Sequence, residues 1–454
     1  MTQRSFFGTD GIRGPAGSPP LDPEMVARLG AALARCVAPT GGESGGVVIG
    51  RDTRESGNFL ENAMAAGLQS QGVDVYRAGV IPTPAVACLV REQKAAAGVV
   101  ISASHNPFHD NGIKLFGAGG GKLDDADEAA IEKECSGDRD HTEHSGGFGR
   151  DRVLEDAAET YRERILASVD HDSRLLQGVR IALDNANGAA VRTSAGILEA
   201  LGAEVLVFHD RPDGRNINAE CGCTHPGVIE SLVRETGADV GVSHDGDADR
   251  VLLCDESGSV LDGDEFMAIA AIDLIERGLL RENTLVATVM SNAGLDEALR
   301  QAGGKVIRAG VGDRYVMEEM KKRDLNFGGE QSGHFIFRDH GTTGDGILSA
   351  VQLLAAMRRR GIALSEARKV MNKFPQVQRN VRVREKPPLA EVAGVGDLIR
   401  RQEAELGASG RILVRYSGTE PLLRILVEGP DVSDINGRAD AIAAAVTAEI
   451  GFAG

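Results

Sequence analysis

The chain has no run of apolar residues near the roughly 20 that a membrane-crossing helix needs. Its first residues, MTQRSFFGTDGIRG, contain no apolar stretch of the secretory kind. A cytoplasmic protein without a membrane partner is expected. Cysteine is scarce: six in 454 residues, at Cys36, Cys88, Cys135, Cys221, Cys223 and Cys254. Six cannot staple a chain of this length, so free thiols in a reducing compartment are expected. Cys221 and Cys223 stand one residue apart, which is not CxxC spacing for zinc or redox chemistry. Positive charge is the minority: 50 Lys and Arg face 67 Asp and Glu, a net charge of -17. Such a chain repels phosphate backbones at long range, so no nucleic-acid partner is expected. A small phosphorylated ligand stays allowed, because a local cluster of Arg and Lys can reverse the field inside a cleft.

Length gives a soft prior of about three domains. Hydrophobic residues at 42% and charged residues at 26% are ordinary for a globular protein. GVVIGRD (46–52), VDVYRAG (73–79) and AAAGVVISA (95–103) read as strands, with a helix over 55–72. VRIALDNA (179–186), AEVLVFHD (203–210) and ADVGVSHD (238–245) form a second such set. TLVATVMS (284–291) and GKVIRAG (304–310), followed by a helix over 311–322, form a third. Strands alternating with helices imply βαβ units and mainly parallel pairing. Beyond Phe374-Pro375 the pattern changes. VQRNVRVRE precedes a helix-like stretch over 389–406, then two close strands, RILVRYSG and LLRILVEG, and a last helix near 433–449. The expected architecture is α/β, with three related α/β domains carrying mixed sheets and a C-terminal α+β domain. Their expected bounds are 1–152, 153–255, 256–373 and 374–454.

Five segments carry candidate chemistry. In ISASHNPFHDNGIKLF (101–116), Ser104 stands where a strand gives way to a loop, and ligands gather beyond the carboxyl ends of such strands. Ser104 reads as a nucleophile or phosphate carrier, with Lys114 downstream; a polar turn capping a helix is the plainer alternative. His105 is not expected to serve Ser104 as a base, because neighbours on extended chain face opposite ways. In SHDGDADRV (243–251), Asp245, Asp247 and Asp249 converge at period two and repel one another unless a cation neutralises them. An all-oxygen set favours Mg²⁺ or a similar hard ion. The spacing also suits a calcium EF-hand, but the required sixth-position Gly is Arg250 and the flanks look like strands. A phosphorylated Ser104 would complete the metal's shell and make phosphorus easier to attack.

GGEQSGHF (328–335) presents Glu330, Ser332 and His334 on a glycine-permitted loop suited to sugar hydroxyls; an ordinary polar hairpin is the alternative. RYSGTEPLLR (415–424) groups Arg415, Ser417, Thr419 and Arg424 around Gly418, which suits a phosphate better than a bare strand turn with surface arginines. FGTDGIRG (7–14) holds Arg13 between glycines, and Arg13 is expected to reach the reacting phosphate. GAGGGK (117–122) imitates a P-loop but lacks its first Gly and its Ser or Thr, and reads as a flexible loop.

Together and in this order, these segments resemble the α-D-phosphohexomutase superfamily over nearly the whole chain. The resemblance implies four domains around a central cleft, one loop from each, one Mg²⁺ per chain and an active phosphoserine. By that likeness Ser104, Asp245, Asp247 and Asp249 hold the metal, and Ser104, Lys114, Arg13 and His334 are catalytic. Arg250, Glu330, Ser332, Arg415, Ser417, Gly418, Thr419 and Arg424 bind substrate. FGTDGIRG, NINAECGCTHP (216–226), ATVMSNAGL (287–295), VGDRYV (311–316) and SGTEP (417–421) are similar to the phosphoglucosamine mutase branch. That branch implies interconversion of glucosamine 6-phosphate and glucosamine 1-phosphate through a glucosamine 1,6-bisphosphate, in amino-sugar supply for bacterial wall synthesis. A homodimer is compatible with this. A phosphomannomutase or phosphoglucomutase, a silent sugar-phosphate sensor and a phosphatase-like hydrolase stay open as alternatives. Lys114 and His334 both stay open as the group that handles the hydroxyl proton.

Overall fold

The structure is a computed structural model that describes residues 6–8, 11–37, 45–137, 147–407, 410–417 and 420–452. It contains four sheets in sequence order, three with helices on their faces. The first sheet holds β1 (Ile12–Pro15), β2 (Val47–Arg51), β3 (Val75–Val80), β4 (Ala97–Ile101), β5 (Asp110–Gly117) and β6 (Asp151–Val153), ordered β1-β5-β4-β2-β3-β6. The helices α1 (Pro23–Val37), α2 (Gly57–Ser70), α3 (Thr83–Glu92) and α4 (Asp125–Ser136) accompany it, and α5 (Ala157–Ala167) leads to the next unit. In the second sheet β7 (Arg180–Asp184), β8 (Glu204–Phe208), β9 (Val240–His244) and β10 (Val251–Asp255) are ordered β10-β9-β7-β8, with α6 (Ser194–Ala200) and α7 (Pro226–Thr236). The third holds β11 (Thr284–Thr288), β12 (Lys305–Ala309), β13 (Phe327–Gly329) and β14 (Phe335–Phe337), ordered β12-β11-β13-β14. Its helices are α8 (Gly263–Glu276), α9 (Ala293–Gln301), α10 (Asp313–Lys322), α11 (Gly346–Arg360) and the short α12 (Leu364–Ala367). The last sheet, β15-β17-β16, is antiparallel throughout: β15 (Gln376–Arg382), β16 (Arg411–Tyr416) and β17 (Leu422–Glu428), covered by α13 (Val395–Leu406) and α14 (Val432–Ile450).

The first three sheets repeat one plan. Three parallel strands run in the spatial order second, first, third, and a fourth strand returns antiparallel beside the third. The fourth strands are β5, β10 and β14. The inner strands are buried on both faces, and all five residues of β4, β9 and β11 are buried, as parallel pairing under two helical layers requires. One continuous apolar core runs from Val48 and Phe116 through Tyr161, Leu183 and Val242 to Phe335 and Leu353, so the three units share an interior. The last sheet has a core of its own around Val381, Ile425 and Ile442.

The stretch 389–406 is not one helix. A 3-10 turn spans Leu389–Glu391, and α13 starts only after Gly394, whose φ of 71° breaks the helical path. No helix is long and apolar enough to cross a membrane among the described residues.

Candidate active site

The repeated plan puts three of the candidate segments at one equivalent position. Ser104 lies between β4 and β5, the aspartates between β9 and β10, and Glu330 to His334 between β13 and β14. Each is the connection into the antiparallel fourth strand, beyond the carboxyl end of a parallel one, where open α/β sheets gather ligands.

Ser104 is 1% exposed and left-handed, with φ of 50°. Its Oγ donates to Asp245 Oδ2 across 2.5 Å, so the serine and metal segments meet directly. The meeting demands a glycine: a Cβ on Gly246 would stand 2.5 Å from the Ser104 carbonyl oxygen. That carbonyl accepts from Arg54 Nη2 (2.8 Å) and from Asn218 Nδ2 (2.9 Å). Its own N–H donates to Ser102 Oγ, and Ser102 Oγ donates to Asp52, which also pairs with Arg54. The left-handed turn removes the premise that Ser104 and His105 stand on extended chain. The chain is not extended here, and His105 Nδ1 lies 3.4 Å from Ser104 Oγ.

Asp245, Asp247 and Asp249 are buried, with one carboxylate oxygen from each within 4.8 Å of the others. Lys114 comes in from β5, opposite Val100 on β4, and its Nζ donates to Asp247 Oδ2 (2.8 Å) and Asp249 Oδ2 (3.0 Å). Thr83, at the start of α3, donates its hydroxyl to the same Asp247 Oδ2 across 2.5 Å. The opposite oxygens, Asp247 Oδ1 and Asp249 Oδ1, are buried without a hydrogen-bond donor among the described residues. Burial and the two neighbouring carboxylates push Asp245 up. Burial would also raise Asp249, yet Lys114 and His334 hold it well below the usual carboxylate range. Buried carboxylate oxygens with no donor, in a set without sulfur, fit a hard divalent cation.

A cavity of about 510 Å³ opens beside this cluster. Arg13, Asp249, Arg250, Glu330 and His334 line it, together with Asp313, Arg314 and Tyr315. Arg13 reaches it from β1, which pairs with β5 and sets Arg13 beside Gly112. His334 lies between Asp249 (3.8 Å) and Asp313 (3.4 Å); these carboxylates raise it against the opposing effect of burial. Glu330 accepts the Gly312 N–H at 3.0 Å, which ties the third sheet's two cavity loops together. Ser332 is exposed and is not among the lining residues. The GAGGGK loop is fastened rather than free: Lys122 pairs with Asp313 at 2.5 Å, and Thr342 bonds the Gly120 carbonyl.

The fourth segment stands apart. Arg415 and Arg424 are paired across β16 and β17, and Arg424 meets Glu420 at 3.0 Å. Ser417 is buried, and its carbonyl accepts from Lys386. None of these three lines the cavity, and Gly418 and Thr419 lie outside the described residues. The last sheet is joined to the third unit elsewhere: Glu428 accepts from the Ala293 N–H, and Arg411 donates to the carbonyls of Val289 and Ser291.

Sequence reasoning passed over Arg54, Thr83, Asn218 and the Asp313–Tyr315 run as site residues. Arg54 and Thr83 each follow the carboxyl end of a parallel strand, and that position was the available signal.

Comparison with known proteins covers the chain end to end. The phosphoglucomutase/phosphomannomutase α/β/α domain models I, II and III match residues 4–141, 159–258 and 262–374, and the C-terminal domain model matches 379–445. The phosphoglucosamine mutase of Geotalea daltonii is 50% identical over 450 residues, 99% of each chain. That of Desulforamulus reducens is 48% identical, over 96% of this chain and 98% of its own. Among solved structures, a phosphoglucomutase/phosphomannomutase family protein from Burkholderia thailandensis superposes with a TM-score of 0.81 at 23% identity, over all of both chains. Aspergillus fumigatus N-acetylphosphoglucosamine mutase, in complex with GlcNAc-6P and magnesium, superposes with a TM-score of 0.61 at 19% identity, over 84% of this chain and 93% of its own.

Proposed function

The chain belongs to the phosphoglucomutase/phosphomannomutase family, and from that premise we propose that it interconverts glucosamine 6-phosphate and glucosamine 1-phosphate, with Ser104 as the phosphate carrier. The choice of sugar rests on the phosphoglucosamine mutases to which it is similar along its whole length. The observation that carries the chemistry is the direct contact of the Ser104 hydroxyl with a buried carboxylate triad. Three buried carboxylates beside one serine repel one another unless a cation neutralises them, and a phosphate on that serine would share the cation.

Asp245, Asp247 and Asp249 are the residues that would hold Mg²⁺, with an oxygen of phosphorylated Ser104. The ion supplies charge neutralisation for the transferring phosphoryl group. The protein's own part is positioning and electrostatics, which dominate phosphoryl transfer. The free hydroxyl of the bound monophosphate attacks phosphorus as the bond to Ser104 Oγ breaks, giving the 1,6-bisphosphate. After the sugar turns over in the cavity, Ser104 Oγ takes the other phosphate. Arg13 and Arg250 border the cavity beside the aspartates and would hold charge on the moving group. His334 and Lys114 are the titratable groups for the hydroxyl proton; His334 faces the cavity, and Lys114 lies behind Asp247 and Asp249. Glu330, which lines the cavity, would meet the sugar hydroxyls. Arg415, Ser417, Gly418, Thr419 and Arg424 would hold the non-reacting phosphate once the last domain folds toward the cleft, excluding water.

The test is turnover of glucosamine 6-phosphate, mannose 6-phosphate and glucose 6-phosphate by the purified chain with Mg²⁺, alongside intact mass spectrometry. Glucosamine 6-phosphate is expected to give the highest kcat/KM, and a peptide containing Ser104 to carry one phosphate. Preference for either other sugar overturns the substrate. Release of free phosphate without bisphosphate would mark a hydrolase instead.

A further inference from the structure

Ser104, whose Oγ lies against Asp245, has a left-handed backbone that side-chain-bearing residues rarely adopt. Such strain persists where surrounding contacts over-determine it. Here the surroundings are a two-sided clasp. Arg54, from the first unit, donates Nη2 to the carbonyls of Ser104 (2.8 Å) and Asn106 (2.9 Å). Asn218, from the second unit, donates Nδ2 to the same two carbonyls, at 2.9 and 3.3 Å. The Asn218 backbone is itself held. Its backbone N–H donates to the Ala186 carbonyl, and its loop docks beside Arg54 through Glu55, which accepts from Arg215 and donates its N–H to Gly214. Gly246 lies under both groups: a Cβ there would stand 2.5 Å from the Ser104 oxygen and 2.8 Å from Asn218 Nδ2.

We propose that Asn218 is a positioning residue for phosphoryl transfer. It locks the Ser104 backbone from the metal-binding side of the cleft, so that the serine's orientation and the aspartate segment move as one body. Neither NINAECGCTHP nor the Ser104 loop could make this junction alone, because the clasp closes only when the two units pack together. The inference rests on the mutase reading, since it concerns transfer from Ser104.

The variant of choice is Asn218→Asp. Asp keeps the volume and tolerates the residue's φ of 57°, but it turns an acceptor toward two carbonyl oxygens. Asn218→Ala removes the donor without adding repulsion. Each full-length variant is phosphorylated with glucose 1,6-bisphosphate, freed of excess, mixed with glucosamine 1-phosphate, and followed by rapid quench and intact mass. Single-turnover transfer is expected to slow roughly tenfold to a hundredfold, with the sugar KM within about twofold and Asn218→Asp slower than Asn218→Ala. A merely structural residue would lower the melting temperature and active fraction and leave the rate per phosphorylated molecule unchanged; that result overturns the proposal, as does transfer at the parent rate. If the parent chain itself passes no phosphate from Ser104 to the sugar, the mutase reading falls first, and the clasp's role falls with it. That case is recognised in the parent control before any variant is compared.

Discussion

Thr83 Oγ1 donates to Asp247 Oδ2 across 2.5 Å, a bond that joins residues 164 positions apart and leaves the other oxygen of Asp247 buried with no donor among the described residues. A carboxylate held by one oxygen presents the other in a fixed direction, and outer partners of that kind tune ion affinity. Thr83→Val is therefore expected to weaken Mg²⁺ binding by about tenfold in titration calorimetry, and Thr83→Ser to restore it. Unchanged affinity in the valine variant would remove the role.

Replacing Ser104 by Ala should leave a folded chain that takes up no phosphate from a sugar bisphosphate and shows no mutase turnover. Intact mass and a coupled assay read the two effects. Near-normal turnover would end the case for Ser104.

Lys114 neutralises two buried carboxylates at once. Without it, Asp247 keeps the Thr83 hydroxyl and Asp249 keeps His334 nearby, but both lose their shared ammonium, a loss of about 3–5 kcal/mol for a broken buried pair. Lys114→Met should melt at lower temperature than the parent without Mg²⁺ and recover more of that loss when Mg²⁺ is added. Turnover should fall by at least about a hundredfold. An Mg²⁺-induced shift equal to the parent's would show that ammonium and ion do not neutralise the same two carboxylates.

Asp264 lies under the junction with the last sheet, and burial pushes it up to about 7. A free Asp titrates near about 3.9. Below that pH both folded and unfolded chains hold the proton. Between there and 7 the unfolded chain releases it while the folded chain keeps it, so stability falls as pH rises, and the loss is complete above 7. Asn imitates the protonated form and still accepts the Asn292 N–H. Asp264→Asn is expected to raise the melting temperature at pH 8 by an amount equivalent to about 1 kcal/mol or more, and to change little at pH 4. An equal shift at both pH values would show that the charge is not the cause.

Sequence reasoning picked out candidate chemistry where it is written consecutively. Asp245, Asp247 and Asp249 sit in five residues, and Ser104 follows five buried strand residues, so strand and loop signals sufficed. It was blind to partners that only packing supplies: Asn218 reaches Ser104 from 114 positions away, and Arg54 from 50. Strands β1 and β13 also escaped notice. They are four and three residues long and carry Gly or Pro, which weakens every periodic signal. The reasoning on His105 lost its premise for a backbone reason, since one positive φ turns alternation into adjacency.

The return strand that closes each of the first three units divides labour in a way that allows separate change. A hairpin at the end of a sheet can be lengthened or recoloured without disturbing the parallel strands behind it. The two hairpins that would handle phosphorus interlock through Ser104, Asp245 and Gly246 and cannot drift independently. The third, from Glu330 to His334, is tied to the second by the Val251 N–H on the Gly333 carbonyl and by His334 beside Asp249, so within it the exposed Ser332 is the position most open to change. One unit of architecture, used three times, thus separates a part that must stay constant from a part that can diverge.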